Sequence, residues 1–104
     1  MMESNLTFDF EAELWIYPAA KAAWHFVTVP DEVSRQIRFF APSKSPGFGS
    51  VPVIASVNGF EWKTSVFPDQ SKGCCILPVK TAARKAGNLQ AGTLASFQLK
   101  LLAL

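Results

Sequence analysis

The sequence predicts an all-β fold, a small closed six-stranded β-barrel with two short helices. Three observations predict it. Thr7 to Tyr17 alternates apolar and polar side chains, the period of a half-buried strand. Asn58-Gly59 stands between two alternating runs, and both residues accept the positive φ of a tight hairpin turn. Six strand-like segments in all are separated by turn signals and two short helical stretches, a spacing that suits a closed barrel better than an open sheet.

The first strand puts Phe8, Phe10, Ala12, Leu14 and Ile16 on one face and Asp9, Glu11, Glu13 and Trp15 on the other. Pro18 ends it. Trp24 to Val29 is the second strand, with Trp24, Phe26 and Thr28 opposite His25, Val27 and Val29. Pro30-Asp31-Glu32 then starts a helix: Asp31 can cap the first free N–H groups, and Glu32 suits the positive end of the helix dipole. Val33 and Ile37, four apart, share its buried face. The helix ends as Phe39 to Pro46 brings prolines and serines, and Pro46 to Ser50 reads as a turn.

Val51 to Val57 is the third strand and Phe60 to Phe67 the fourth, with Phe60, Trp62, Thr64 and Val66 sharing a face. Pro68 to Gly73 reads as a polar loop and Cys74 to Leu77 as a short fifth strand. Pro78 to Ala86 reads as the second helix, closed by Gly87 in a left-handed conformation. Its small residues Ala82, Ala83 and Ala86 allow close packing on a sheet. Gln90-Ala91-Gly92 turns the chain into the sixth strand, Thr93 to Leu101.

The 104 residues, 49% of them hydrophobic and 17% charged, make one domain over residues 1–104 with enough apolar area for a core. The length excludes a two-domain cofactor enzyme and an eight-fold α/β barrel. Ten Lys and Arg against eight Asp and Glu leave a formal charge of +2. The sequence pI of about 8.7 falls short of the basic footprint of a dedicated nucleic-acid binder. The charge is uneven. Glu3, Asp9, Glu11 and Glu13 gather at the start, while Lys63, Lys72, Lys80, Arg84, Lys85 and Lys100 face only Glu61 and Asp69 in the second half. The adjacent cysteines, Cys74-Cys75, are poorly placed for an intrachain bridge. With no signal peptide and no membrane-length apolar run, the expected location is the cytoplasm. The apolar run from Phe97 to Leu104 reads as a buried last strand.

Several segments together resemble one bacterial family: Trp24 to Pro30, Gly47 to Val53, Trp62 to Asp69, Leu77 to Lys80, Arg84-Lys85-Ala86 and the Gly92 turn. It is the domain-of-unknown-function family nineteen-zero-five, and the resemblance runs from about Phe8 to Leu101. It implies a compact six-stranded barrel similar to the double-split barrels of bacterial transition-state regulators and antitoxins. It implies no activity. Family members usually place Asp after the Gly that precedes the last strand. This chain has Thr93 there, so a role for that carboxylate, or for a metal built around it, does not carry over.

The chemistry-bearing residues are few. One His, at position 25, and two adjacent cysteines fall short of the four converging ligands of a structural zinc site, so no metal and no cofactor is expected. Ser65, Cys74 and Cys75 are nucleophiles by type only, with no base placed beside them, so no catalytic residue is assigned. Glu11 and Glu13 lie about 7 Å apart on one strand face, where a solvated exterior accounts for them. Gly47-Phe48-Gly49 lacks the Lys-Ser/Thr that completes a phosphate loop. Lys80 and Arg84 are four apart and flanked by Lys85. Their like-charge repulsion is small, and a bound anion would relieve it. Trp62 and Thr64 follow the hairpin and line a barrel mouth if they face it.

The leading expectation is therefore a non-enzymatic binding module for a small anionic or aromatic ligand at Trp62, Thr64, Lys80, Arg84 and Lys85. The alternative is a nucleic-acid-binding regulator resembling the double-split barrels. A small enzyme and a protein-interaction module, the latter using the last strand as a free edge, rank below these. No membrane partner is expected. The oligomeric state is left open between monomer and dimer.

Overall fold

Apolar positions repeating every second residue must find an interior, and the chain supplies one by curling six short strands around it. A computed structural model describes residues 6–18, 23–40, 50–69 and 73–102. The elements are β1 (Thr7–Pro18), β2 (Ala23–Thr28), α1 (Asp31–Phe40), β3 (Val51–Val57), β4 (Phe60–Asp69), β5 (Cys74–Pro78), α2 (Thr81–Gly87) and β6 (Leu94–Leu101). The strands close as an antiparallel barrel in the order β1-β2-β5-β4-β3-β6. The turn before β3, including Gly47-Phe48-Gly49, lies outside the described residues, as does Lys72.

Two strands are shared between two sheets. β1 pairs with β6 from Thr7 to Glu13, then with β2 from Leu14 to Pro18. β4 pairs with β3 from Phe60 to Val66, then with β5 from Phe67 to Asp69. Each long strand thus changes partner partway along, which splits the barrel wall. The expected polar loop from Pro68 is corrected at its start: β4 runs on through Pro68, opposite Cys75, and Asp69, opposite Cys74.

The alternation places Leu14, Val27, Val53, Val66, Leu77 and Leu99 at the barrel centre, each at most 1% exposed. Phe10 and Phe97 stack with ring centroids 5.9 Å apart. Ile16 departs from the expectation for β1. It is 40% exposed, because beyond Leu14 the strand leaves the core and pairs only with β2. β6 pairs with β1 on one side and β3 on the other, so it is an inner strand of the wall and offers no free edge.

α1 starts at Asp31 itself, where the Ser34 N–H donates to the Pro30 carbonyl. The Asp31 carboxylate pairs with Arg35 at 3.3 Å instead of lying ahead of the helix as a cap. Ile37 is fully buried and Val33 packs at the core edge.

α2 starts at Thr81, three residues later than the sequence suggests, because Pro78 belongs to β5 and pairs with Phe26. Its left-handed C-terminal residue is Asn88, at φ 54° and ψ 48°, rather than Gly87. Gly87 is needed for space: a Cβ there would meet Leu89 Cγ at 3.0 Å. Ala83 is fully buried where α2 packs on β3 and β4, and Asn58 Nδ2 ties the hairpin tip to the Ala86 carbonyl at 2.9 Å. Among the described residues no helix is long and apolar enough to cross a membrane.

Candidate functional site

The split in the wall creates a cleft. β5 pairs with β4 only through Cys74 to Ile76. Past Ile76 it pairs with β2 alone, through Leu77 and Pro78, while β4 at Trp62 to Thr64 pairs with β3. The gap opens a cleft of about 260 Å³, lined by Trp24 and His25 of β2, Trp62, Lys63 and Thr64 of β4, and the Pro78–Thr81 turn with Arg84.

Each side chain is placed by its backbone. The Val79 N–H donates to the His25 carbonyl at 2.9 Å, which carries the β2–β5 pairing up to the cleft. Lys80 sits before the helix in an extended conformation, φ −76° and ψ 167°, and is exposed. The carbonyl of Val79, beyond the reach of a β4 partner, accepts Arg84 Nε at 3.3 Å. Arg84 also donates from Nη2 to Thr81 Oγ1 at 2.9 Å. The guanidinium is thereby fixed at the cleft wall with part of its five-donor fork still unused. Lys63 is exposed and Thr64 half-buried on β4.

Four of the five expected residues, Trp62, Thr64, Lys80 and Arg84, line this one cleft, and Lys85 does not. Trp62 is 6% exposed. It belongs to the core, packs on Phe60 with centroids 6.0 Å apart, and forms the inner wall. The exposed tryptophan of the cleft is Trp24, 56% accessible. Sequence reading left Trp24, His25, Lys63 and Thr81 out of the site, although Lys63 was counted among the bases of the second half. No signal in the sequence set Trp24 apart, since Phe26 shares its strand face and Val27 and Val29 fill the other.

The charge of the lining is one-sided. Among the described residues that line it, Lys63, Lys80 and Arg84 are joined by no Asp or Glu. Among the described residues none of the three cations forms an ion pair. Such a site holds a standing positive potential, which an anion lowers.

Other candidates lead elsewhere. Both cysteines are free thiols and neither lines the cleft. Burial pushes the Cys75 thiol above its ordinary value, against the weaker opposing pull of the Ser34 hydrogen bond and the Arg38 charge. That is the reverse of an activated nucleophile. Glu11 lies with Asp9 in a broad depression on the outer face of β1, where Gln98 Nε2 donates to Asp9 Oδ1 at 2.9 Å. At Thr93 the hydroxyl accepts the Gln90 N–H at 3.1 Å and closes the turn before β6. A threonine therefore satisfies the local acceptor role that a carboxylate would fill. Among the described residues no three His, Cys, Asp or Glu side chains group as a metal site.

No curated protein matches the chain. A family model matches residues 10–99, in agreement with the resemblance seen in the sequence motifs. With its six-stranded barrel and this match across most of its length, the chain belongs to the family described as Domain of unknown function (DUF1905).

Proposed function

We propose that this domain is a non-enzymatic binding module for a small anionic ligand, held in the cleft between β4, β5 and α2. The observation that carries the reading is the group of Lys63, Lys80 and Arg84 lining one concave site without a carboxylate. Arg84 presents a planar fork already held by two hydrogen bonds, which reduces the order lost when an anion binds. Trp62 and Trp24 give the site apolar walls, the usual setting for a few polar groups that orient a ligand. The concave placement of the cations favours a small ligand over a duplex, whose backbone calls for a basic surface that tracks it.

The test is a titration of the full chain with inorganic phosphate and phenyl phosphate, followed by heteronuclear NMR. Shifts centred on Lys63, Lys80 and Arg84 are expected. Affinity should fall about tenfold in a Lys63→Ala/Lys80→Ala variant, in line with loss of charge-assisted hydrogen bonds. Equal affinity in that variant, or shifts elsewhere, would remove the assignment.

A further inference from the structure

The cleft is small. Its volume of about 260 Å³ lies below the roughly 300–1,000 Å³ that encloses a whole small ligand. It has room for an anionic head, and the remainder of a ligand must lie against the surface beside it.

That surface carries an aromatic platform. Tyr17 of β1 and Trp24 of β2 are directly opposite in the register, so they share the outward face of the ribbon. They are 59% and 56% exposed. Two pairs further along, on the same face, Trp15 and Phe26 are also opposite, with ring centroids 5.1 Å apart. Trp15 Nε1 donates to Thr28 Oγ1 at 3.0 Å. The inner pair is thus fixed by a tilted ring contact and a hydrogen bond. Trp24 belongs both to the platform and to the lining of the cationic cleft. Trp24 is exposed in the same lining as Lys63, Lys80 and Arg84, and Tyr17 is its exposed cross-strand neighbour, so an anion seated in the cleft would hold its remainder over a flat aromatic surface.

Resting on the anion-binding reading above, we propose that the ligand is a nucleotide: a phosphate seated among Lys63, Lys80 and Arg84, and a base stacked on Trp24 and Tyr17. Three cations that form no ion pair among the described residues favour a phosphomonoester, with close to two negative charges, over a carboxylate with one. Stacking on an exposed Trp-Tyr pair suits any base, because every base has a π-face. The same chemistry occurs in a free mononucleotide and at the phosphorylated end of a single strand.

The experiment is isothermal titration of the full chain at fixed low salt. The probes are inorganic phosphate, the four ribonucleosides, their 5′-monophosphates and a 5′-phosphorylated tetranucleotide. At least one monophosphate should bind about tenfold or more tightly than phosphate and than its own nucleoside, given the energy of a stacked base. Tyr17→Ala, on the platform but outside the cleft lining, should weaken that monophosphate toward the affinity of phosphate while leaving phosphate itself unchanged. Lys63→Ala/Lys80→Ala should bring it down to the affinity of the nucleoside. These positions are exposed, and an unchanged circular dichroism spectrum will show that the variants fold. Monophosphates no tighter than phosphate would overturn the nucleotide assignment and leave the anion cleft standing. Binding of neither phosphate nor monophosphates would overturn both. With the nucleotide assignment supported, a tetranucleotide tighter than the monophosphate identifies a strand end as the source, and equal affinity identifies the free nucleotide.

Discussion

The buried hydroxyl of Ser34 accepts the backbone N–H of Cys75 at 2.9 Å. It donates in turn to the Val29 carbonyl at 3.0 Å. One side chain on α1 thus joins the helix to β5 just where the chain leaves β2, and it satisfies a backbone donor that the barrel wall leaves over.

Removing that hydroxyl isolates a buried N–H. Ser34→Ala should lower the unfolding free energy by about 1–3 kcal/mol, the cost of an unsatisfied buried donor. Urea unfolding followed by tryptophan fluorescence measures it. A loss of a few tenths would mean that the site relaxes to readmit water.

The two cysteines should differ sharply in reactivity. Cys74 is half-exposed, whereas Cys75 is 2% exposed with its thiol pushed up by burial. Under native conditions a limiting alkylating reagent should modify Cys74 first, as read by peptide mass spectrometry. The raised value also sets a pH dependence. The unfolded chain loses this proton at a lower pH than the folded chain, so the contribution is complete below the ordinary thiol value and declines as pH rises beyond it. Unfolding midpoints should therefore fall in the alkaline range, and Cys75→Ala should flatten that fall.

Asn88 holds a left-handed conformation after α2. Asn88→Gly should leave stability within a few tenths of a kcal/mol, while Asn88→Ala should cost about 1 kcal/mol through its Cβ in that region. Thermal unfolding of the two variants side by side checks the contrast.

Lys80 and Arg84 share the cleft but not its support. Lys80→Ala should weaken anion binding and leave the unfolding midpoint in place. Arg84→Ala should weaken binding and also cost about 0.5–1.5 kcal/mol, because the bonds to Val79 and Thr81 go with it. Paired titration and denaturation of both variants separate the two effects.

The strand faces were legible because burial repeats every second residue: Phe8 to Leu14 on β1 and Phe60 to Val66 on β4 fall on the interior as their alternation indicates. The change of partner at Leu14 and at Phe67 was not legible. It depends on pairings between distant segments, and it explains why Ile16 is exposed although its parity matches Leu14. In the site, Lys80 and Arg84 stood out as cations four apart. Trp24 did not, because both faces of β2 carry bulky residues and only closure of the barrel decides which face looks outward. Nothing in the sequence singles out Ser34, since the N–H it satisfies lies 41 positions away on β5.

β6 lies between β1 and β3, with Lys100 opposite both Thr7 and Ile54. The β3–β4 hairpin can form from neighbouring sequence, but the seam of the barrel joins positions at opposite ends of the domain, an arrangement that slows folding through loop-closure entropy. A nascent chain that has reached Leu89 has made every other strand and still presents two open edges on either side of one gap. Until the final strand arrives, the domain is at its most vulnerable to pairing with a foreign strand, and closure of the gap ends that exposure.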